Sequence, residues 1–205
     1  MRSLFLAILL LALTPGWQQQ RDPLQYIEIL ESADRVRKLQ VDRVIAQLGV
    51  GSGSMVADVG SGSGLFTRPL AQKVGVEGKV FAIDVDSDLL AHVARTAERL
   101  NLVNIETVQA GALDPRIPEP VDLILIVDTL HHIQNRADYI KTLRPYLRSE
   151  GRVAVIDFLE EWPTRHEQMR YDLSDLKGWM EAAGFEQVAA YDYLEGNFFV
   201  VYESS

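Results

Sequence analysis

Between residues 58 and 64 the chain reads Asp-Val-Gly-Ser-Gly-Ser-Gly. Gly60, Gly62 and Gly64 lack a Cβ, so the backbone can turn tightly there and a ligand can approach its N–H groups. A helix N-terminus behind such a loop is a ready seat for an anionic group. Asp84 follows 20 residues after Gly64, at the end of the next apolar run. A carboxylate in that place can accept both hydroxyls of a ribose. Two common nucleotide loops do not fit. The dinucleotide pattern G-x-G-x-x-G would need its third glycine where Leu65 stands, counted from Gly60, or where Thr67 stands, counted from Gly62. A P-loop would need Gly-Lys-Ser/Thr after the glycines, and none follows.

A second group is Asp128, Thr129, His131 and His132, directly after the apolar run VDLILIV. Imidazole titrates near neutrality and can take a proton from a reacting hydroxyl. His131 and His132 are therefore candidate bases, His132 being the preferred one. The competing assignment is a histidine that only bonds backbone or caps the next helix. Adjacent histidines usually point apart, and neither His-x-x-x-His nor a clustered acid spacing is present. No metal site is expected. The stretch Trp162-Pro163-Thr164-Arg165-His166-Glu167 offers an aromatic ring, an arginine and a histidine to a substrate, or is a polar connector with its tryptophan packed down. His92 falls in an amphipathic helix and reads as a surface residue.

The elements that must hold these groups alternate in type. Short apolar runs at 55–59, 79–84, 104–109, 121–127 and 152–158 read as strands. The run at 121–127 is apolar on both faces, as in central parallel strands. Helical periodicity separates them: Val41, Val44, Ile45 and Leu48; a helix through about 74; Leu89, Leu90, Val93, Ala94, Ala97 and Leu100; Ile140, Leu143 and Leu147; Leu173, Leu176, Met180 and Ala183,. Runs at 185–194 and 197–203 flank Glu195-Gly196. A two-residue link is too short for a crossover, so this pair must be antiparallel. The fold class is α/β: a doubly wound, mostly parallel sheet ending in a hairpin, with ligands beyond the carboxyl ends of its strands.

The loop Asp-x-Gly-x-Gly-x-Gly, the spacing to Asp84 and the closing hairpin together resemble the class I S-adenosylmethionine-dependent methyltransferases, over about residues 36–203. That resemblance implies a seven-stranded Rossmann-like sheet and S-adenosylmethionine as cofactor. Asp58, Gly60, Gly62 and Gly64 would wrap its methionine and ribose parts, Asp84 would hold the ribose hydroxyls, and Val85 is a further cofactor-binding candidate. Relatives bond the adenine amino group with an acid after the third strand. Gly111 stands in that place here, and Asp114 is the nearest acid. Asp128 is a candidate for the cofactor's amino group. His131 or His132 would serve as base for a hydroxyl acceptor. Two other readings stay open: a non-catalytic binding protein on the same fold, for which Gly111 argues, and an NAD-dependent oxidoreductase, against which Leu65 and Thr67 argue.

Of 205 residues, 47% are hydrophobic and 24% charged, enough to bury one core without cross-links,. Cysteine is absent, which excludes disulfides, thiolate metal sites and a cysteine nucleophile,. A net charge of −9 and no basic run disfavour nucleic acid as partner,, so the expected partner is a small-molecule acceptor. Arg2, the ten-residue apolar run Leu4–Leu13 and the breakers Thr14, Pro15 and Gly16 have the layout of a secretory signal or signal anchor,. Ten apolar residues fall short of the roughly 20 that span a bilayer. Residues 1–20 are read as signal plus linker and 21–205 as the methyltransferase-like domain, exported or held at a membrane only through its first residues. Fractionation of the native host should find the protein outside the cytoplasm or on its membrane. Cytoplasmic protein that retains Met1 would overturn this expectation.

Overall fold

A computed structural model describes residues 22–159 and 162–204. The expected signal segment and its boundary at residue 20 lie outside them. Among the described residues no helix is long and apolar enough to cross a membrane.

Seven strands form one sheet: β1 Met55–Val59, β2 Lys79–Asp84, β3 Ile105–Gln109, β4 Val121–Val127, β5 Leu147–Phe158, β6 Phe185–Tyr191 and β7 Asn197–Ser204. Their order is β3-β2-β1-β4-β5-β7-β6. All pairings are parallel except those of β7, which runs antiparallel to both β5 and β6. The doubly wound fold with its closing hairpin therefore stands as expected. The helices are α1 Pro23–Leu30, α2 Ala33–Leu39, α3 Val41–Gln47, α4 Thr67–Val74, α5 Ser87–Arg99, α6 Arg136–Leu143 and α7 Leu173–Ala182.

Strand composition follows from burial. β1 is buried at every position, and β4 at every position but Asp122. One core cluster joins Ile124 and Ile126 to Tyr139, Leu176 and Met180, and a second joins Leu123 and Leu125 to Val44, Leu48 and Leu70. The sheet is thus covered on both faces, which is what an all-apolar central strand requires. β3, at the edge, is half-buried or exposed along its length.

Three details depart from the sequence reading. Leu147 begins β5 rather than closing the helix of Ile140 and Leu143, because Pro145 sits in a short 3₁₀ turn, Arg144–Tyr146, that ends α6,. The terminal hairpin is linked by residues 192–196, not by Glu195-Gly196 alone, since β6 stops at Tyr191. Residues 23–30, to which the sequence reading assigns no helix, form α1, which is capped by Asp22 accepting the Leu24 N–H at 3.0 Å and carries Pro23 in its first turn,.

Strand order reverses between β1 and β4, so the loops leaving their carboxyl ends part from each other. That topological switch point is where such a sheet opens a crevice.

Candidate functional site

A cleft of about 620 Å³ lies at this switch point. Its walls bring together Asp58, the loop Gly60–Ser63, Asp84, Val85, Asp128, His131 and His132, with His166 from the segment after β5. The two halves of the sequence reading, glycine loop and histidine pair, thus face one volume. A size of several hundred Å³ is usual for a small-molecule site.

The glycine loop is shaped by two close approaches. Gly60 has φ +75°, and a Cβ there would stand 2.1 Å from Thr129 Oγ1. Its N–H and that of Ser61 both donate to the Ile83 carbonyl, at 2.8 and 3.0 Å. Asp84 takes the Gly62 N–H on Oδ2 at 2.8 Å and the Asp86 N–H on Oδ1 at 3.0 Å. A carboxylate has about four acceptor positions, so each oxygen keeps capacity for a ribose hydroxyl. Burial pushes the Asp84 carboxyl above its ordinary value, against the pull of those N–H donors. Val85 beside it is an exposed apolar side chain on the cleft wall.

Asp58 is only 2% exposed and takes the Thr67 hydroxyl at 2.5 Å. It tethers the start of α4 to the end of β1. Burial and the nearby Asp84 raise it to about 6, while Thr67 pulls the other way.

Two expected cofactor contacts are engaged elsewhere. The Asp114 carboxylate accepts from the Tyr146 hydroxyl at 2.8 Å and from the Arg116 N–H at 2.7 Å. Asp114 is not among the cleft walls, and Ala110, Gly111 and Ala112 line that end instead. Asp128 does line the cleft, but it is paired with Arg35 at 2.8 Å and takes the Asn197 side-chain N–H at 3.0 Å. Burial raises its carboxyl, and Arg35 opposes that shift. Arg35 and Asn197 carried no visible signal in the sequence; each is a lone polar residue far from both motifs.

The histidines diverge in role. His131 is 1% exposed, whereas His132 is exposed. His131 Nδ1 lies 2.8 Å from Asp157 Oδ1, and its backbone N–H donates to Asp157 Oδ2 at 3.2 Å. The fully buried Asp157 also accepts from the Phe158 N–H and the Tyr171 hydroxyl, both at 3.0 Å. With Nδ1–H directed at a carboxylate, Nε2 is left as a basic nitrogen. It is buried and has no hydrogen-bond partner among the described residues. Asp157 behind His131 holds its ring in the tautomer a base needs, so His131 replaces His132 as the preferred candidate,. Burial and Asp157 push the Tyr171 phenol above its usual range, so it remains a neutral donor.

Trp162 is buried edge-on against His131, at 5.4 Å between ring centroids, so it packs down as the connector reading expects. His166 does not fit that reading, for it enters the cleft beside His131 and His132. The Arg165 side chain lies outside the described residues. Arg136 fixes this corner by donating to the carbonyls of Leu130 at 3.1 Å and of His131 and Met169 at 2.7 Å. Asp157 and Arg136 were both missed. Asp157 had a signal, an acid closing the otherwise apolar run RVAVIDF.

Asp58 gives the stability a definite pH dependence. Its carboxyl ionises near 3.8 in the unfolded chain and at about 6 in the fold. Between those values the unfolded chain is ionised while the fold holds the proton, so stability falls as pH rises. The loss is complete above about pH 6 and amounts to at most about 3 kcal/mol. Asp58→Asn removes this slope. In thermal unfolding from pH 4 to 7, the parent's midpoint should fall relative to the variant's; parallel curves would contradict the assignment.

A family model described as a methyltransferase domain matches residues 56–151, which runs from β1 into β5. The ubiquinone/menaquinone biosynthesis C-methyltransferase UbiE of Pseudoalteromonas translucida is 31% identical over 125 residues, covering 60% of this chain and 50% of that protein. The same-named protein of Stutzerimonas stutzeri is 27% identical, covering 72% of this chain and 71% of that one. The chain spans about half the length of the first of these curated relatives. Among solved structures, a SAM dependent methyltransferase from Aquifex aeolicus superposes with a TM-score of 0.79 at 25% identity, covering 90% of this chain and 99% of that one. Sheet order, glycine loop, Asp84 and these likenesses agree in supporting a class I S-adenosylmethionine-dependent methyltransferase.

Proposed function

We propose that the chain transfers the methyl group of S-adenosylmethionine to a small aromatic or enolic acceptor that carries a hydroxyl group. One observation carries this reading: a single cleft has the glycine loop and Asp84 at one end and the His131–Asp157 pair at the other. The fit to the cofactor is supported by the spare acceptor capacity of Asp84 and by the side-chain-free turn at Gly60 and Gly62. The adenine end is lined by Val85, Ala110 and Ala112 rather than by an acid.

Ile133, Tyr139 and Phe158 wall the histidine end and suit a flat, apolar acceptor. The curated relatives bear the name of C-methyltransferases of quinone biosynthesis, and quinone precursors are hydroxylated rings of this kind. Methylation at a phenolic oxygen and at the adjacent ring carbon both begin with loss of the hydroxyl proton, so both ask the same of the site. When bound, S-adenosylmethionine supplies a methyl carbon made electrophilic by its sulfonium. The chain holds the acceptor in line, which supplies much of the acceleration. His131 takes the hydroxyl proton on Nε2, and Asp157 holds the ring's orientation and stabilises the imidazolium.

The binding-only reading has one observation in its favour: Asp128 is already engaged by Arg35 and Asn197. Label transfer from methyl-tritiated S-adenosylmethionine to a panel of phenols and hydroquinones separates the two. Binding without transfer to any of them would leave the binding-only reading.

Two variants probe the two ends of the cleft. Asp84→Ala should weaken S-adenosylhomocysteine binding in calorimetry by about 1.5–3 kcal/mol; parental affinity would show that the ribose is held elsewhere. His131→Ala should lower turnover by about 10²-fold or more with cofactor affinity barely changed. An unchanged rate would reduce the histidine to a packing role and favour an acceptor atom that needs no base.

A further inference from the structure

The acceptor end of the cleft holds more than one base requires. His131, His132 and His166 each present a ring nitrogen, and these nitrogens all lie within 4.8 Å of one another. The expectation that adjacent histidines point apart fails here. The His131 and His132 rings are 4.1 Å apart between centroids, and His166 stands 4.8 Å from the first and 5.0 Å from the second. The cause is local. His131 and His132 sit in the 3₁₀ turn Leu130–His132, and His166 in the 3₁₀ turn Thr164–Met169. Arg136 bonds a carbonyl of each turn and draws them together. No spacing rule could show this, because 34 residues separate His132 from His166.

Three ring nitrogens converging on one small volume are the arrangement that a shared cation needs,. His131 adds an independent sign. Its Nε2 is buried and lacks a hydrogen-bond partner among the described residues, while Nδ1 is fixed by Asp157. Buried polar atoms are normally satisfied, and an orphan calls for an explanation such as an ion.

We propose that His131, His132 and His166 bind one divalent transition-metal ion of the zinc type, with the fourth position open to the cleft. Zinc takes imidazole nitrogen at about 2.0–2.1 Å in tetrahedral geometry, which sets ligand nitrogens about 3.4 Å apart. The nitrogens here, all within 4.8 Å of one another, need small ring movements to reach that spacing. A donor set of three imidazoles selects zinc, copper, nickel or iron over magnesium and calcium, which prefer oxygen. Asp157 behind His131 is the carboxylate that metal-binding histidines commonly carry, fixing the tautomer and raising ligand basicity.

This site deepens the methyl-transfer reading without depending on it. Three protein ligands and an open position describe a catalytic rather than a structural ion. In the metal-free chain His131 Nε2 is the base proposed above; with the ion bound it would be a ligand instead, and the ion would supply the acidification that lets the acceptor's proton leave to water.

The test uses the full chain, stripped with a chelator and dialysed against Zn²⁺ alone, with Co²⁺ as a visible probe. One ion per chain and an intense tetrahedral Co²⁺ spectrum are expected. His132→Ala and His166→Ala should each lower zinc affinity at least tenfold. Both side chains lie at the cleft wall rather than in the core, so these variants should fold. Asp157→Asn should lower zinc affinity by about 10–100-fold, and His92→Ala, on α5, should leave it unchanged. Absence of zinc binding at micromolar concentration, or equal binding by parent and His166→Ala, would overturn the proposal. Calorimetry with S-adenosylhomocysteine on the same preparation reads the cofactor site separately, so loss of the metal site and loss of the methyltransferase reading are distinguishable.

Discussion

The contact on which this site depends is the one between Gly60 and Thr129, at the place where strand order reverses. A Cβ at Gly60 would overlap the Thr129 side chain at 2.1–2.7 Å, and the glycine's φ of +75° is one that side-chain-bearing residues rarely adopt. Thr129 is itself held by its hydroxyl, which donates to the Val127 carbonyl at 2.8 Å. The loops after β1 and β4 are therefore in contact at their roots and part above them. Any side chain at residue 60 would push them apart at the root and widen the cleft floor. The two ends of the reaction, cofactor and acceptor, are kept in register by this approach of backbone to threonine.

Asp157 plays the matching part at the other end. A buried carboxylate is costly unless its lone pairs are used. Here four donors converge on it: the His131 ring and backbone, the Phe158 N–H and the Tyr171 hydroxyl. The network ties the end of β5 to the turn after β4 and, through Tyr171, to the approach to α7. Arg136 adds the third tie, bonding carbonyls on both histidine turns while stacking over Tyr171 at 5.1 Å. Substrate-facing segments on loops need such anchoring, since precise placement rather than reactive groups dominates a reaction of this kind.

The fold was legible because its signals are local. An apolar run such as VDLILIV can only be a buried strand, and alternation with amphipathic helices leaves few topologies. The glycine loop and Asp84 were legible for the same reason, each lying at the end of its own strand. What was not legible is long-range. Arg35 reaches Asp128 across 93 residues, Asn197 across 69, and Asp157 meets His131 across 26. A spacing argument works only within one element, so it described His131 and His132 together and His166 apart, and could not join the three. It also placed Asp114 by proximity in sequence, whereas Tyr146 draws that carboxylate out of the cleft wall.

The acids of the cleft form a pattern that local reading could not supply. Asp58, Asp84 and Asp128 stand around the cofactor end, and burial raises all three above the ordinary carboxyl value. Among the described residues, only Asp128 of the three has a cation bound directly to it. Desolvated like charges weaken one another's ionisation, and a bound cation reverses that effect. A ligand carrying a sulfonium and an ammonium against one carboxylate brings a net positive charge into such a site, whereas a dinucleotide's pyrophosphate would bring two negative ones. The same acids that cost folding free energy in the empty cleft thus favour S-adenosylmethionine and oppose NAD. This electrostatic preference reaches, without counting glycines, the discrimination that Leu65 and Thr67 make in the sequence.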